Sequence, residues 1–262
     1  MMTKTDISLS RAEQALENGS AEEAVRILRR ILAEEGEHAE ALSLLGEALV
    51  ESGNLSEAAT VLESAITQAP DEFDLQYELG DVYFELGRSE DACEVYRKIL
   101  ERDADQVDAL VSLGLVHYHQ ERMDAAEECY RNALKGQPDC AFAMHSLGDV
   151  CFATGRNEEA LVCFKQALEM EPENPQGHFN LAEFCYEEGD LKEAERHCRQ
   201  AITLDPEFSF AYLTLGNICL DQELVEDSIS CFKEFLKLEK SPLSKDICGE
   251  VSALIDGLKG EA

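Results

Sequence analysis

The pattern of apolar and small residues along this chain repeats every 34 positions. The pair Leu-Gly stands at Leu45-Gly46, Leu79-Gly80, Leu113-Gly114, Leu147-Gly148 and Leu215-Gly216, with Leu181-Ala182 at the intervening register. Counting one period back from Gly46 gives Ala12, so seven registers fit without insertion or deletion. Twelve residues after each small residue come Ala24, Ala58, Ala92, Ala126, Ala160 and Ala194, with Ser228 last. Four residues further on the chain carries a bulky apolar group: Leu28, Leu62, Tyr96, Tyr130, Phe164 and Phe232, with Cys198 in the sixth register. Glycine recurs at Gly19, Gly53, Gly87, Gly155 and Gly189, and proline at Pro70, Pro138, Pro172 and Pro206.

Each column has a physical cause. Facing small residues let two antiparallel helices approach closely, and the bulky residues beside them fill the gap to the next pair. Glycine takes the left-handed conformation that ends a helix. Proline, lacking an N–H, stops one helix and can stand near the start of another. The pattern therefore predicts helix–turn–helix units over 5–38, 39–72, 73–106, 107–140, 141–174, 175–208 and 209–242, each with a first helix of about 14 residues. The remainder, 243–262, holds Leu243, Ile247, Val251, Leu254, Ile255 and Leu258 mostly three and four apart, with Lys245, Asp246, Glu250 and Asp256 opposite. That is the pattern of a one-sided helix capping the last unit, and it makes the chain look complete rather than cut from a longer one.

These columns resemble the tetratricopeptide repeat family over residues 5 to about 242. The departures are Arg11 beside Ala12 in the first register, and Ser228 and Lys240 in the last, where terminal repeats commonly diverge. The resemblance implies an all-α, right-handed superhelical solenoid of seven repeats plus a C-terminal capping helix, with the first helices lining a concave groove. It also implies that the second, fifth, ninth, twelfth and thirteenth places of each repeat face that groove. Those places give the candidate partner-binding residues Tyr77, Asp81, Phe84, Tyr118, Phe142, His145, Asp149, Phe152, Phe179, Glu183, Tyr186 and Phe210. Six of the eight aromatics fall in repeats four to seven, and Glu13, Glu17, Glu47, Glu51, Glu85, Glu187 and Asp221 make the same face acidic. Family members that grip acidic chaperone tails use a basic clamp. Here the matching places carry Leu9, Glu13, Ser43 and Glu47, so the charge is reversed and an acidic tail would be repelled.

Charge sharpens the choice of partner. With 22 Lys+Arg against 55 Asp+Glu the formal net charge is −33, which repels nucleic acid and anionic lipid and favours basic partners. A solvated acidic surface or a halophilic source would give the same balance. Hydrophobic residues at 45% suffice for a core, and the start MMTKTDISLSRAEQALE holds no signal-length apolar run, so a cytoplasmic protein is expected. Without an export signal the ten cysteines read as reduced thiols packed as small hydrophobes, although Cys151, Cys185 and Cys219, like Cys129, Cys163 and Cys231, share repeat places.

No chemistry-bearing constellation emerges. The repeated glycines lie inside helices and cannot cradle phosphate, no GxSxG elbow occurs, and His38, His117, His119, His145, His178 and His197 show no ligand spacing. The reading is a non-enzymatic adaptor or scaffold, without cofactor or metal and monomeric alone. It holds a basic or amphipathic protein segment in an acidic, aromatic-lined groove. The alternative is a structural subunit that assembles through its ends or convex face.

Overall fold

The structure, a computed structural model, describes residues 3–36, 38–241 and 244–260, and among them every regular element is a helix. Leu243, assigned above to the capping helix, and the repeat boundary at 242 lie outside the described residues. The helices gather into two compact units, Met1–Pro138 and Asp139–Ala262.

The first unit contains α1 (Lys4–Glu17), α2 (Ala21–Glu35), α3 (Ala39–Glu51), α4 (Leu55–Gln68), α5 (Phe73–Glu85), α6 (Ser89–Arg102), α7 (Val107–His119) and α8 (Met123–Gly136). Each odd-numbered helix packs against the even-numbered one that follows, and α1, α3, α5 and α7 also touch in succession, so they share one face. One core runs through the unit from Leu9 to Cys129. The second unit contains α9 (Ala141–Ala153), α10 (Asn157–Met170), α11 (Pro175–Glu187), α12 (Leu191–Leu204), α13 (Ser209–Asp221), α14 (Val225–Leu238) and α15 (Lys245–Gly260), paired in the same way with α15 against α14.

The small column permits the close approach within each pair. A Cβ built on Gly46 would stand 2.5 Å from Leu62, and one on Gly216 would stand 2.5 Å from the Phe232 ring. Where the bulky partner shrinks to Cys198, the facing residue is Ala182, and both are fully buried. The hairpin turn imposes its own backbone. Gly19 at φ +69° donates to the Leu16 carbonyl, and Ser20 donates to Ala15. Glu121 and Glu223 occupy the same turn place at φ 58° and 62° without being glycine, and the bonds Glu121→Tyr118 and Arg122→His117 reproduce the motif. Proline carbonyls are also satisfied by a rule: Gln76, His178 and Tyr212, each six residues after a proline, reach Pro70, Pro172 and Pro206.

The terminal helix differs from its sequence pattern. Val251 and Ile255 are buried against Phe232 and Phe235, with Cys248 and Leu258 beside them, while Ile247 and Leu254 face outward at 37% exposure. The expected apolar face is broader than the strip α14 can cover, so α15 rolls to bury the side centred on Val251 and Ile255.

Candidate functional site

In the first unit the shared face of the odd-numbered helices is acidic. Glu13, Glu17, Glu47 and Glu51 surround an open depression with Leu16 and Leu44. Burial and the neighbouring Glu51 raise the Glu47 carboxyl above its ordinary range. Further along, Glu78 is pushed up to about 7 by burial and by Glu47 and Asp81. Asp81 is exposed and accepts a hydrogen bond from the Tyr96 hydroxyl. The aromatics here are half-buried. Tyr77 donates to Gln106 at 3.4 Å, Phe84 meets His119 edge-on at 5.2 Å, and Tyr118 lies 6.1 Å from the same imidazole.

In the second unit most of the expected aromatic stripe is engaged within the molecule. Phe179 is buried and packs on Phe208 at 4.8 Å. Phe210 meets Phe235 at 5.8 Å, and the Tyr186 hydroxyl donates to Asp221 at 2.8 Å. Phe152, Phe184, Phe164 and His145 form a continuous run of rings, with centroid separations of 5.2, 5.6 and 5.0 Å. Phe142 alone of the eight stands open, at 53% exposure. Apart from Phe142, the candidate aromatics of the second unit therefore make ring or hydrogen-bond contacts within the molecule. These rings fill gaps between successive hairpins, because the places that face a groove also border the next helix.

Phe142 forms one wall of a cavity of about 240 Å³ between α9, α10 and α11, whose floor is Phe164, Ala167 and Leu168. Its rim is polar and internally bonded. The Gln176 amide donates to Asn180 Oδ1 at 2.6 Å, and Asn180 Nδ2 lies 2.7 Å from His145 Nε2. His145 Nε2 also lies 3.4 Å from Asp149 Oδ2. Burial pushes Asp149 up, to about 7, and pushes His145 down. Asp149 keeps 39% of its side chain exposed. Glu183 accepts from Thr214 at 3.3 Å, and burial raises its carboxyl.

Tetratricopeptide repeat models match residues 15–72, 49–114, 105–173 and 147–207, which together span most of the chain. The chain belongs to the tetratricopeptide repeat family. A tetratricopeptide repeat protein from Parabacteroides merdae superposes with a TM-score of 0.79 at 18% identity, over 95% of this chain and 98% of that one. MamA from Desulfovibrio magneticus gives 0.60 at 24% identity, over 66% and 97%. A chain of the APC/C hetero-tetramer Cut9–Hcn1 gives 0.66 at 15% identity, over 94% of this chain and 49% of that one. No curated protein matches in sequence. At these identities the solved relatives establish the fold of this tetratricopeptide repeat protein, and that fold supports a role in protein interaction.

Five groups escaped the sequence reading of this repeat protein. Phe164 counts there as packing, yet it floors the cavity. Gln176 and Asn180 are polar residues four apart on α11, a spacing that places them together but gives no sign of the His145 they meet. Gly177 carried a legible signal. Its column otherwise reads Ile7, Ala41, Leu75, Ala109, Ala143 and Ala211. The histidines looked scattered, yet His178 and His197 stand 2.9 Å apart in the core. The cysteine spacing points to neighbours between repeats, whereas Cys219 and Cys231 interact within one hairpin. Burial pushes Cys231 up to about 11 and Cys198 to about 12, so these thiols stay protonated. All ten cysteines are thiols outside any disulfide.

Proposed function

We propose that this protein is a non-catalytic cytoplasmic scaffold that binds a basic or amphipathic segment of another protein on the faces of its first helices. The observation that carries the reading is the one open aromatic, Phe142, exposed beside a cavity on a chain whose carboxylates far outnumber its cations. With 55 acids and 22 bases most carboxylates have no cation within the molecule to meet. Carboxylates of the first unit such as Glu13, Glu47 and Glu51 attract a Lys/Arg-rich partner at long range, and within the second unit Phe142 offers an apolar anchor. No helix among the described residues is long and apolar enough to cross a membrane.

The test is affinity capture from the native cell with wild type, a Phe142→Ala variant and a Glu13→Gln/Glu47→Gln/Glu51→Gln variant. The reading expects a captured protein whose recovery drops in both variants and weakens as salt rises. Equal recovery by all three proteins refutes the first-helix faces as the binding surface.

A further inference from the structure

The cavity behind Phe142 is too specific in shape to be only part of an acidic surface. We infer that it is a socket for one apolar side chain, of leucine or phenylalanine size, with a lysine or arginine beside it in the bound segment. The inference rests on the protein-binding reading above and names what one subsite of it takes.

Size decides the occupant first. An apolar cavity of about 150 Å³ accommodates benzene, and typical cofactor and drug sites begin near 300 Å³. A cavity of about 240 Å³ lies between, with room for an isobutyl or benzyl group and too little for a cofactor. Its floor of Phe164, Ala167 and Leu168 offers no hydrogen bond to a polar head.

The rim gives the second argument. Gln176 donates to Asn180 and Asn180 pairs with His145, so these rim bonds are made without a ligand and an apolar guest need not supply them. The single charged residue lining the cavity is Glu171, exposed at its mouth, and no lysine or arginine lines it. An acidic neighbour in the guest segment would meet Glu171 with like charge, and a basic one would meet it with opposite charge.

Gly177 gives the third argument. At the place of Gly177 five other repeats bury Ala41, Leu75, Ala109, Ala143 and Ala211, while Ile7 in the first repeat is exposed. Glycine removes that side chain, and Leu168 leans to 3.3 Å from where a Cβ would stand. Leu168 and Asn174 thus border the place of the missing side chain, and Gly177, Leu168 and the exposed Phe142 together line the cavity.

The experiment uses the full chain and heteronuclear NMR of the Asn180 and Gln176 side-chain amides and the His145 ring. The probes are the acetylated amides of leucine, phenylalanine, glycine and lysine, then acetyl-Lys-Phe-Lys-amide and acetyl-Glu-Phe-Glu-amide. The leucine and phenylalanine probes should shift those signals saturably, and the glycine and lysine probes should not. The Lys-flanked peptide should bind at least threefold more tightly than the Glu-flanked one at low salt. Gly177→Leu should abolish the shifts, and Ala141→Leu, on the opposite wall, serves as a second block should the first disturb α11. Absence of saturable shifts, equal response to the glycine probe, or shifts that survive both blocks overturns the socket. If no probe saturates while capture still depends on the first-helix acids, the socket falls and the scaffold reading stands. If the probes bind but capture ignores Phe142 and the acids, the scaffold reading falls.

Discussion

Replacing Gly216 with alanine puts the close packing of the hairpins to a quantitative test. The new methyl would stand 2.5, 2.6 and 3.2 Å from three carbons of the Phe232 ring. That ring is fully buried and boxed in by Phe235, Val251 and Ile255, so it has no free direction in which to retreat. Overpacking of this kind costs about 1–3 kcal/mol. Removing a glycine from a helix interior returns about 0.5–1 kcal/mol. The balance is a net loss of about 1–2 kcal/mol, where propensity alone predicts a gain. Since 1 kcal/mol moves the melting temperature of a chain this size by roughly 2–4 °C, a circular-dichroism melt resolves it. Native-state hydrogen exchange in α13 and α14 places the loss in the right hairpin, because the repeats of such arrays differ in local stability. A Phe232→Cys change alone should cost about 3–5 kcal/mol. Combined with Gly216→Ala it recreates the Ala182/Cys198 arrangement of the preceding repeat, and the pair should cost at least about 1 kcal/mol less than the sum. A stabilised Gly216→Ala protein, or strict additivity in the double variant, would refute the argument that steric contact with the ring fixes this column.

Three further outcomes follow from the same structure. Ser228 stands in the alanine column with its hydroxyl buried and without a hydrogen-bond partner, so Ser228→Ala should stabilise the second unit by about 1–2 kcal/mol in urea denaturation. Glu121 holds a left-handed turn conformation, and Glu121→Gly should raise stability by about 1 kcal/mol, where a helix-propensity argument expects none. His178 and His197 are bonded to each other, with His178 reaching Pro172 and His197 beside Arg196, so an added proton meets either the partner ring or a guanidinium. Burial and Arg196 push His197 down to about 4, and burial lowers His178. Because the folded state disfavours the charged form, this stability is complete above pH ~6.5 and is lost as pH falls towards 4, by roughly 3 kcal/mol for His197 alone. The stability gap between wild type and His178→Leu/His197→Val should shrink by that order between pH 7.5 and 4.5, and a constant gap sinks the account.

What the sequence determined by itself is what a repeating unit can encode locally. The 34-residue period places the starts of α3, α5, α7, α9, α11 and α13 at 39, 73, 107, 141, 175 and 209, because small, bulky and turn residues act within one hairpin and a few residues of chain. The expectation of an acidic first-helix face rests on the sequence in the same way, since charge needs only the repeat place of each residue. Tertiary structure decided everything that depends on contact between neighbouring hairpins. It turned Phe152, Phe179 and Phe210 into packing and left Phe142 open, and it rolled α15 onto Val251 and Ile255. It also brought His178 to His197 and His145 to Asn180, although each pair is separated by a turn or more of unrelated chain. A place in a repeat fixes which side of a helix a residue occupies. Whether that side meets solvent, a ring or a cavity depends on the volumes its neighbours leave, and at Gly177 Leu168 closes on the place of the missing side chain while both residues line the cavity.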